Sequence, residues 1–358
     1  IRELFKKFAF QPVSTRQYQE LVSRIAGKDM HWFFDQWIYH TGHPVFEFNQ
    51  AFDSVRKKLK LQIRQVQQAD TSIQSLYTGY FQGKMEVEIG DQKRIVQLLP
   101  RALNEFEFDL PAAPVFVNLD MHQQWIREIQ MSRTSEVWLR ILKDSRDVLA
   151  KNTALTELVS QAKESTITVS LRDSIVNALK QVLNSHAYWR FRFNAIGQLR
   201  QISPSPLDID TRSLLVTLIK NENSWVKAAA ISSLGMTKDS AYQDLYISCF
   251  NDTSDRVISA AAIAIGKTKS QQAWEALLRL KERPSWKNQS LMHCLAGLGQ
   301  LGNPEAEKIA LAALQDVQSP RWFLGNGWDY PFVAVQTLSQ LGRTEKAYAI
   351  LHERFQLA

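Results

Sequence analysis

The sequence predicts a multidomain, mostly α-helical protein: a short helical segment, a small antiparallel β-sandwich, and then a HEAT- or ARM-like α-solenoid. Three observations predict this order. Apolar residues recur at helical spacing in residues 1–43, and they alternate with polar residues over residues 44–120. Helical spacing then returns over residues 121–358, together with an internal repeat. We therefore predict three domains with these boundaries.

Residues 1–43 are predicted to form two helices. Ser14 or Thr15 can cap the first helix, and Gly27 can end it. Because the apolar pattern starts in mid-helix and residue 1 is not Met, we expect the chain to be a fragment. The second helix begins near Asp29, and its many aromatic residues imply burial against a large partner. Its apolar side chains are Trp32, Phe33, Phe34, Trp37 and Ile38.

The second segment alternates apolar and polar residues, which is typical of half-buried strands. Leu59, Leu61 and Ile63 form one such run, and a second run continues to Ile89. Gly90 then provides a turn. Short strands at about ten-residue spacing are typical of a β-sandwich.

The third segment repeats a small residue followed four positions later by an apolar residue. Small residues let neighbouring helices approach closely, and each helix pair of a HEAT-like solenoid buries its apolar face against the next repeat. Glycines follow several pairs, and we expect each of them to stop a helix before a turn. The pairs are Ala154 and Leu158, Ala195 and Leu199, Ala230 and Leu234, Ala261 and Ile265, Cys294 and Leu298, and Thr337 and Leu341, with Gly235, Gly266, Gly299 and Gly342 after the last four.

Composition excludes some classes of protein. The hydrophobic content of 45% is ordinary for a soluble globular protein, and no apolar run reaches the roughly 18 residues that cross a membrane. We therefore predict a soluble protein, with a cytoplasmic location slightly favoured. The net charge of +7 comes from Lys and Arg residues that are spread along the chain, and their densest group is in residues 56–60. Because the positive charge is not clustered, it argues against a nucleic-acid partner. Cys249 and Cys294 lie in apolar helical contexts and are predicted to be buried free thiols.

One motif carries a family resemblance. The residues F-F-D-Q-W-I at 33–38, with G-H-P at 42–44, resemble the join between the catalytic domain and the β-domain of M1-family zinc aminopeptidases. V-F-V-N-L-D at 115–120 resembles the last β-strand of that β-domain. Trp138-Leu139 and Asp147-Val148 resemble the start of the family's helical domain. The resemblance implies that this chain is the C-terminal portion of such a protein, with the catalytic domain upstream.

The family's catalytic motifs are absent from this sequence. The family holds zinc with H-E-x-x-H and a distant Glu, and binds the substrate amine with G-x-M-E-N. Here Val follows Met85-Glu86, and His40 and His43 lack both the Glu and the spacing. We therefore predict no catalytic residue, no metal ligand and no cofactor in this chain, which alone should be inactive. The resemblance places the zinc upstream and makes the parent protein a metallo-aminopeptidase, a hydrolase. A zinc site built from His31, His40 and His43 with Asp35 or Glu47 is the disfavoured alternative.

Two aromatic stretches are candidate contacts for a peptide substrate or a protein partner. Residues 319–332 form a Gly-rich aromatic insertion in the solenoid, and residues 188–193 read Y-W-R-F-R-F. In a helix, Trp189 and Phe193 share one face. The alternative is that these aromatics only pin a loop and fill a core, flanked by solvated arginines. The candidate contact residues are Arg190, Arg192, Arg321, Trp322, Trp328 and Tyr330.

These observations lead to two main hypotheses for function. In the first, the chain is the non-catalytic C-terminal region of an M1-like zinc aminopeptidase, in which it braces the catalytic domain and walls or gates the peptide-binding cavity. In the second, it belongs to a zinc-less scaffold of the same architecture whose solenoid binds protein partners, as in a large general transcription-factor subunit. A weaker third hypothesis is an unrelated adaptor with a β-domain and HEAT repeats.

Overall fold

A helical segment, two small β-sheets and a long run of helices follow one another along the chain. The computed structural model describes residues 1–69, 76–185, 187–202, 207–315 and 330–356. The chain divides into two units, 1–154 and 155–358. The predicted fold class is confirmed, whereas the boundaries at residues 43 and 120 stay a prediction.

The helical segment has the predicted start and stop signals for its longest helix. Ser14 accepts a hydrogen bond from the Gln17 amide at 3.3 Å, and the Gln17 side chain accepts one from the Ser14 amide at 2.9 Å. This reciprocal capping box fixes the first turn. Gly27 ends the helix in the left-handed conformation, with φ of 65°. The elements are α1 (Arg2–Phe8), α2 (Thr15–Ala26) and α3 (His31–Phe34), which continues as one π-helical turn over Asp35–Tyr39.

Gly42, in the G-H-P run at 42–44, lies beyond the end of this helix. The π-helical turn stops at Tyr39, and His40 is already extended. Gly42 has φ of +98°, and a Cβ at this position would lie 2.6 Å from the ring of Tyr77. The glycine is therefore required by a close ring contact and by its backbone conformation.

Two small sheets form the β-sandwich. The strands are β1 (Val45–Asp53), β2 (Lys58–Gln65), β3 (Gly83–Ile89), β4 (Gln92–Leu98), β5 (Leu103–Asp109), β6 (Val117–Leu119) and β7 (Glu128–Gln130). The first sheet has the strand order β5-β2-β1-β7 and the second has the order β4-β3-β6. Neighbouring strands are antiparallel except for β7, which runs parallel to β1.

The predicted alternation places the sandwich core correctly. Leu59, Leu61 and Ile63 on β2 are buried, as expected, and they share one core with side chains of the second sheet. One position differs from the alternation. Glu88 on β3 is only 1% exposed, although its strand pattern predicts a solvated carboxylate.

Two basic residues near the first hairpin are paired with carboxylates across the sheet. Lys58 lies 3.6 Å from both Glu107 and Asp109 on β5. Lys60 lies 2.9 Å from Glu105 on the same strand. These two members of the dense basic group therefore belong to a charge-paired strand ladder.

Helices from residue 135 onward pack in an alternating order. The helices are α4 (Ser135–Asp144), α5 (Val148–Ala162), α6 (Val169–Asn184), α7 (Trp189–Ile202), α8 (Ile209–Asn221), α9 (Ser224–Leu234), α10 (Gln243–Ser248), α11 (Asp255–Lys267), α12 (Gln271–Lys281), α13 (Gln289–Leu301), α14 (Ala306–Gln315), α15 (Tyr330–Gln340) and α16 (Thr344–Gln356). In the second unit α7, α9, α11, α13 and α15 lie side by side, while α6, α8, α12 and α14 each pack on the helix that follows them. No helix in the described residues is long and apolar enough to span a membrane.

The repeated small residues lie at the contacts between side-by-side helices. Ala230, Ala261 and Cys294 are fully buried on α9, α11 and α13. The glycines that follow the small-residue pairs were each expected to stop a helix, but not all of them do. Gly342 does end α15, with φ of +71°, but Gly266 lies inside α11. A Cβ on Gly266 would lie 2.1 Å from the carbonyl oxygen of Gly297, so this glycine permits close helix packing.

Candidate functional site

The aromatic stretch at the start of α7 packs onto the start of α9. The Trp189 ring stacks on Trp225, with ring centres 5.7 Å apart and planes tilted by 22°. Phe193 meets the same indole edge-on at 5.7 Å. The predicted shared face of Trp189 and Phe193 is therefore present, and its partner is an indole from the next repeat. This contact joins neighbouring helices of the solenoid.

Arg192 is held within the solenoid by a carboxylate. Its guanidinium makes a two-pronged ion pair with Glu222, in which Nη2 donates to Oε2 at 2.7 Å. The two side chains are only 13% and 17% exposed. An external carboxylate would have to displace Glu222 to reach Arg192, because a paired guanidinium has few donors left.

Arg190 and Arg256 are instead exposed and lie on aromatic rings. The Arg190 guanidinium lies 5.5 Å from the ring centre of Phe193. Arg256, the second residue of α11, lies 3.2 Å over the ring of Trp225. Neither arginine has an ion-pair partner among the described residues. Both can therefore donate hydrogen bonds to a ligand while the rings fix their planes.

The helices of this layer run parallel and in register. The Trp225–Arg256 contact joins the second residues of α9 and α11, and Gly297, midway along α13, lies against Ala262, midway along α11. The N-terminal ends of α7, α9, α11 and α13 therefore lie along one edge. We call it the basic-aromatic edge; it comprises residues 187–193, 222–227, 252–256 and 281–287.

Sequence reasoning missed Trp225 and Arg256. Each occupies the second position of its helix, and they are separated by the same 31 residues that separate Leu234 from Ile265. The repeat register could have placed them on one edge, whereas the local aromatic pattern pointed only to α7.

The remaining predicted contact residues are not tested by the structure. Arg321, Trp322 and Trp328 lie outside the described residues. Tyr330 is described only as the first residue of α15. These four positions stay predictions.

The three histidines considered for a metal site have separate partners. His31 pairs with Asp29, His43 Nε2 lies 2.9 Å from a Glu128 oxygen, and His40 Nδ1 lies 3.5 Å from the Thr78 hydroxyl. Across the described ranges, no three His, Cys, Asp or Glu side chains form a group that could hold a metal ion.

The motif at residues 33–38 attaches the helical segment to the β-sandwich. The Gln36 side chain accepts from the Gln82 amide at 2.8 Å and donates to the Gln82 carbonyl at 3.2 Å. Trp37 packs against Phe81 and Trp125, with ring centres 5.1 and 5.7 Å away. The motif therefore has a structural role within this chain.

The rest of the helical segment presents apolar side chains to solvent. Phe5 on α1 is 68% exposed and Ile25 on α2 is 60% exposed. Phe10 lies between these helices and is fully exposed. Exposed apolar residues grouped in one short segment mark a surface that another protein or domain can cover. The others in this segment include Ile1, Val13, Phe33, Ile38 and Tyr39.

A buried polar network lies between the sandwich and the first helices after it. Glu88 Oε2 accepts from Asn118 Nδ2 at 2.7 Å and from the Ser145 hydroxyl at 2.6 Å. Its other oxygen accepts from the Arg146 amide at 2.6 Å. Arg133 donates to the Asn118 side chain at 2.7 Å, which brings a part-buried cation into the network. Burial lowers the pKa of Arg133 to about 10, although Glu88 attracts its charge.

Asp120, the last residue of the resemblance at 115–120, shapes the chain after β6. It has φ of 55° and is 1% exposed. Its carboxylate accepts from the Gln124 and Trp125 amides at 2.9 and 3.2 Å, and from Arg127 Nε at 3.0 Å. Burial raises the pKa of Asp120 despite the nearby Arg127. The aspartate is thus a buried turn residue rather than a solvated ligand.

His293 on α13 is a buried histidine of the solenoid, and we expect it to make the stability depend on pH. It is 3% exposed, and burial lowers its pKa below the ordinary 6.5 although Asp255, 3.3 Å away, opposes the shift. The unfolded chain therefore takes up a proton at higher pH than the folded chain, so stability is full above about pH 6.5 and falls below it. We expect the melting temperature to drop more between pH 8 and 5.5 in the original chain than in His293→Gln. Equal drops would contradict this assignment.

Three comparisons with known proteins show what this chain is similar to. A family model described as HEAT repeats matches residues 176–265 and 211–291, which supports the predicted solenoid class. Transcription initiation factor TFIID subunit 2 of Drosophila melanogaster is 25% identical over 190 residues, covering 46% of this chain and 15% of that protein. The chain thus spans only a small part of this relative.

The third comparison is with a solved structure. The crystal structure of Legionella pneumophila aminopeptidase A, in complex with aspartic acid, matches 99% of this chain with a TM-score of 0.59. The match covers 46% of the aminopeptidase chain, and the two sequences are 13% identical. The two proteins therefore share a fold across this region, and the chain spans less than half of that enzyme.

Proposed function

We propose that this chain is the non-catalytic C-terminal region of an M1-like zinc aminopeptidase. The observation that carries the proposal is a shared fold: 99% of this chain matches 46% of the chain of an aminopeptidase. The resemblance of residues 33–38 and 42–44 to the family's domain join agrees with it. In this proposal the zinc and the catalytic residues belong to the upstream part of a longer polypeptide.

The helical segment and the sandwich brace the catalytic domain. The exposed Phe5, Phe10 and Ile25 supply an apolar surface for that domain, since covering such side chains removes apolar area from water. Gln36 and Trp37 fix this segment against the sandwich through their contacts with residues 82 and 81.

The solenoid walls the peptide-binding cavity and restricts which peptides enter. Such a wall acts on substrate access and positioning rather than on bond cleavage. Arg190, Arg321, Trp322, Trp328 and Tyr330 are the proposed contacts with substrate or partner. Arg192, the sixth candidate from the sequence, is already paired with Glu222 and is left out of the proposal.

A zinc-less scaffold is the second candidate function. The observation that favours it is the match to TFIID subunit 2, a transcription initiation factor subunit by name. The same solenoid would then bind protein partners, since stacked helical repeats offer extended binding surfaces.

The deciding experiment is the zinc content of the full-length parent protein together with its activity on aminoacyl substrates. We expect about one zinc per chain and turnover in the parent, because three protein ligands and a water form a catalytic zinc site. The 358-residue chain alone should bind no zinc and cleave nothing. A parent without zinc would reject the aminopeptidase in favour of the scaffold, and stoichiometric zinc in this chain would overturn both.

A further inference from the structure

Two arginines on the basic-aromatic edge hold their guanidinium groups in orientations that suit a negatively charged ligand. Arg256 lies 3.2 Å over the Trp225 ring, and Arg190 lies over Phe193. A guanidinium that rests on a ring keeps its N–H donors directed outward in one plane. This fork matches the two oxygens of a carboxylate, and its rotamer freedom is already restricted before binding.

The charge of the edge favours an acidic ligand. Two of its carboxylates are already neutralised, since Glu222 holds Arg192 and Asp252 lies 3.0 Å from Lys227. The N-terminal ends of four long helices add partial positive charge along the same edge. Asp255, which faces His293, and Glu282, which pairs with Lys281, are its exposed carboxylates. The cations of the edge without an ion-pair partner in the described ranges are Arg190, Arg256, Arg283 and Lys287.

From this geometry we infer that the basic-aromatic edge binds an acidic segment of a partner polypeptide. The guanidinium groups of Arg190 and Arg256 take its Asp or Glu carboxylates. Arg192 is not part of this contact, because Glu222 already occupies it. The inference goes beyond the proposed function and does not depend on whether the parent protein holds zinc.

The aromatic residues of the edge argue for a peptide over a single-stranded nucleic acid. Proteins that bind single strands stack bases on open aromatic faces. Here Trp225 is already in contact with Trp189, Phe193 and Arg256. Two aromatic side chains of the edge are exposed, and each has a neighbour at its ring. Trp286 is 75% exposed and has Lys287 4.6 Å over its ring, and Tyr188 is 58% exposed and lies 5.4 Å from the Trp189 ring centre. The edge therefore offers arginine forks rather than a stacking platform.

The test is fluorescence anisotropy of a labelled twelve-residue Asp/Glu peptide titrated with the full chain at low salt. We expect saturable binding that weakens with added salt, because the contacts are ionic. The double variant R190Q/R256Q should weaken binding about tenfold, given that it removes two pre-organised charge-assisted contacts. The matched control R172Q/R200Q removes two exposed arginines at the opposite end of the helix pairs, at the start of α6 and in the last turn of α7. It should change binding less than twofold.

Three outcomes would overturn the inference. One is the absence of saturable binding by the original chain. Another is equal weakening by the control and by the double variant, which would show that only overall charge matters. The third is a single-stranded oligonucleotide that binds more tightly than the peptide and loses affinity in R190Q/R256Q, which would make the edge a nucleic-acid surface. Circular dichroism of each variant checks that the helices remain folded.

Discussion

Gly266→Ala is expected to lower the free energy of unfolding of the solenoid by about 2 to 3 kcal/mol. The added methyl group would lie 2.1 Å from the Gly297 carbonyl oxygen and 2.9 Å from its carbon. Both are backbone atoms, so no side chain can rotate away and α11 must move from α13. Alanine has the higher helix propensity, which offsets only about 1 kcal/mol of this loss. Urea unfolding followed by far-ultraviolet circular dichroism measures the effect.

Gly197→Ala is the matched control. Gly197 also lies inside a helix of the same layer, α7, but a Cβ there would meet nothing within 4 Å. The same substitution should therefore raise the free energy of unfolding by about 0.5 to 1 kcal/mol, through helix propensity alone. If Gly266→Ala and Gly197→Ala both raised the free energy of unfolding, or both lowered it, close packing at Gly266 would not be what limits the approach of α11 and α13.

The solenoid shows what a sequence repeat can and cannot predict. The repeat predicts correctly that small residues such as Ala230 and Ala261 are buried at helix contacts, because the requirement recurs in each repeat. The role of Gly266 was predicted wrongly, since a glycine that ends a helix and one that admits a neighbouring backbone look alike in sequence. Only the partner atom distinguishes them, and Gly297 lies 31 residues away.

The same limit applies to the sandwich and to the candidate site. Alternation on β3 predicts the burial of Met85 and Val87, but it also predicts that Glu88 is solvated. Glu88 is buried because Asn118 and Ser145, distant in sequence, supply hydrogen-bond donors. Helical spacing likewise placed Trp189 and Phe193 on one face, yet it could not separate paired from unpaired arginines, because the pairing depends on a carboxylate from another repeat.

Glu88→Gln is expected to lower the stability of residues 1–154 by about 3 kcal/mol, since it replaces a buried carboxylate that accepts three hydrogen bonds. The three donors are the Asn118 amide, the Ser145 hydroxyl and the Arg146 backbone. A glutamine side chain places an NH2 group against at least one of these donors, which leaves a buried hydrogen bond unmade. It also removes the negative charge that favours the part-buried Arg133 guanidinium. Urea unfolding followed by tryptophan fluorescence measures the loss.

Glu107→Gln is the control for this prediction. Glu107 lies on β5, is 61% exposed, and its carboxylate is 3.6 Å from Lys58, so the same chemical change should alter stability by no more than about 0.5 kcal/mol. The double variant E88Q/R133M tests the charge coupling directly. If Glu88 acts by compensating Arg133, the double variant is less destabilised than the sum of the single variants. Additive losses would show that hydrogen bonds to Glu88, and not its charge, hold the sandwich to the helices after it.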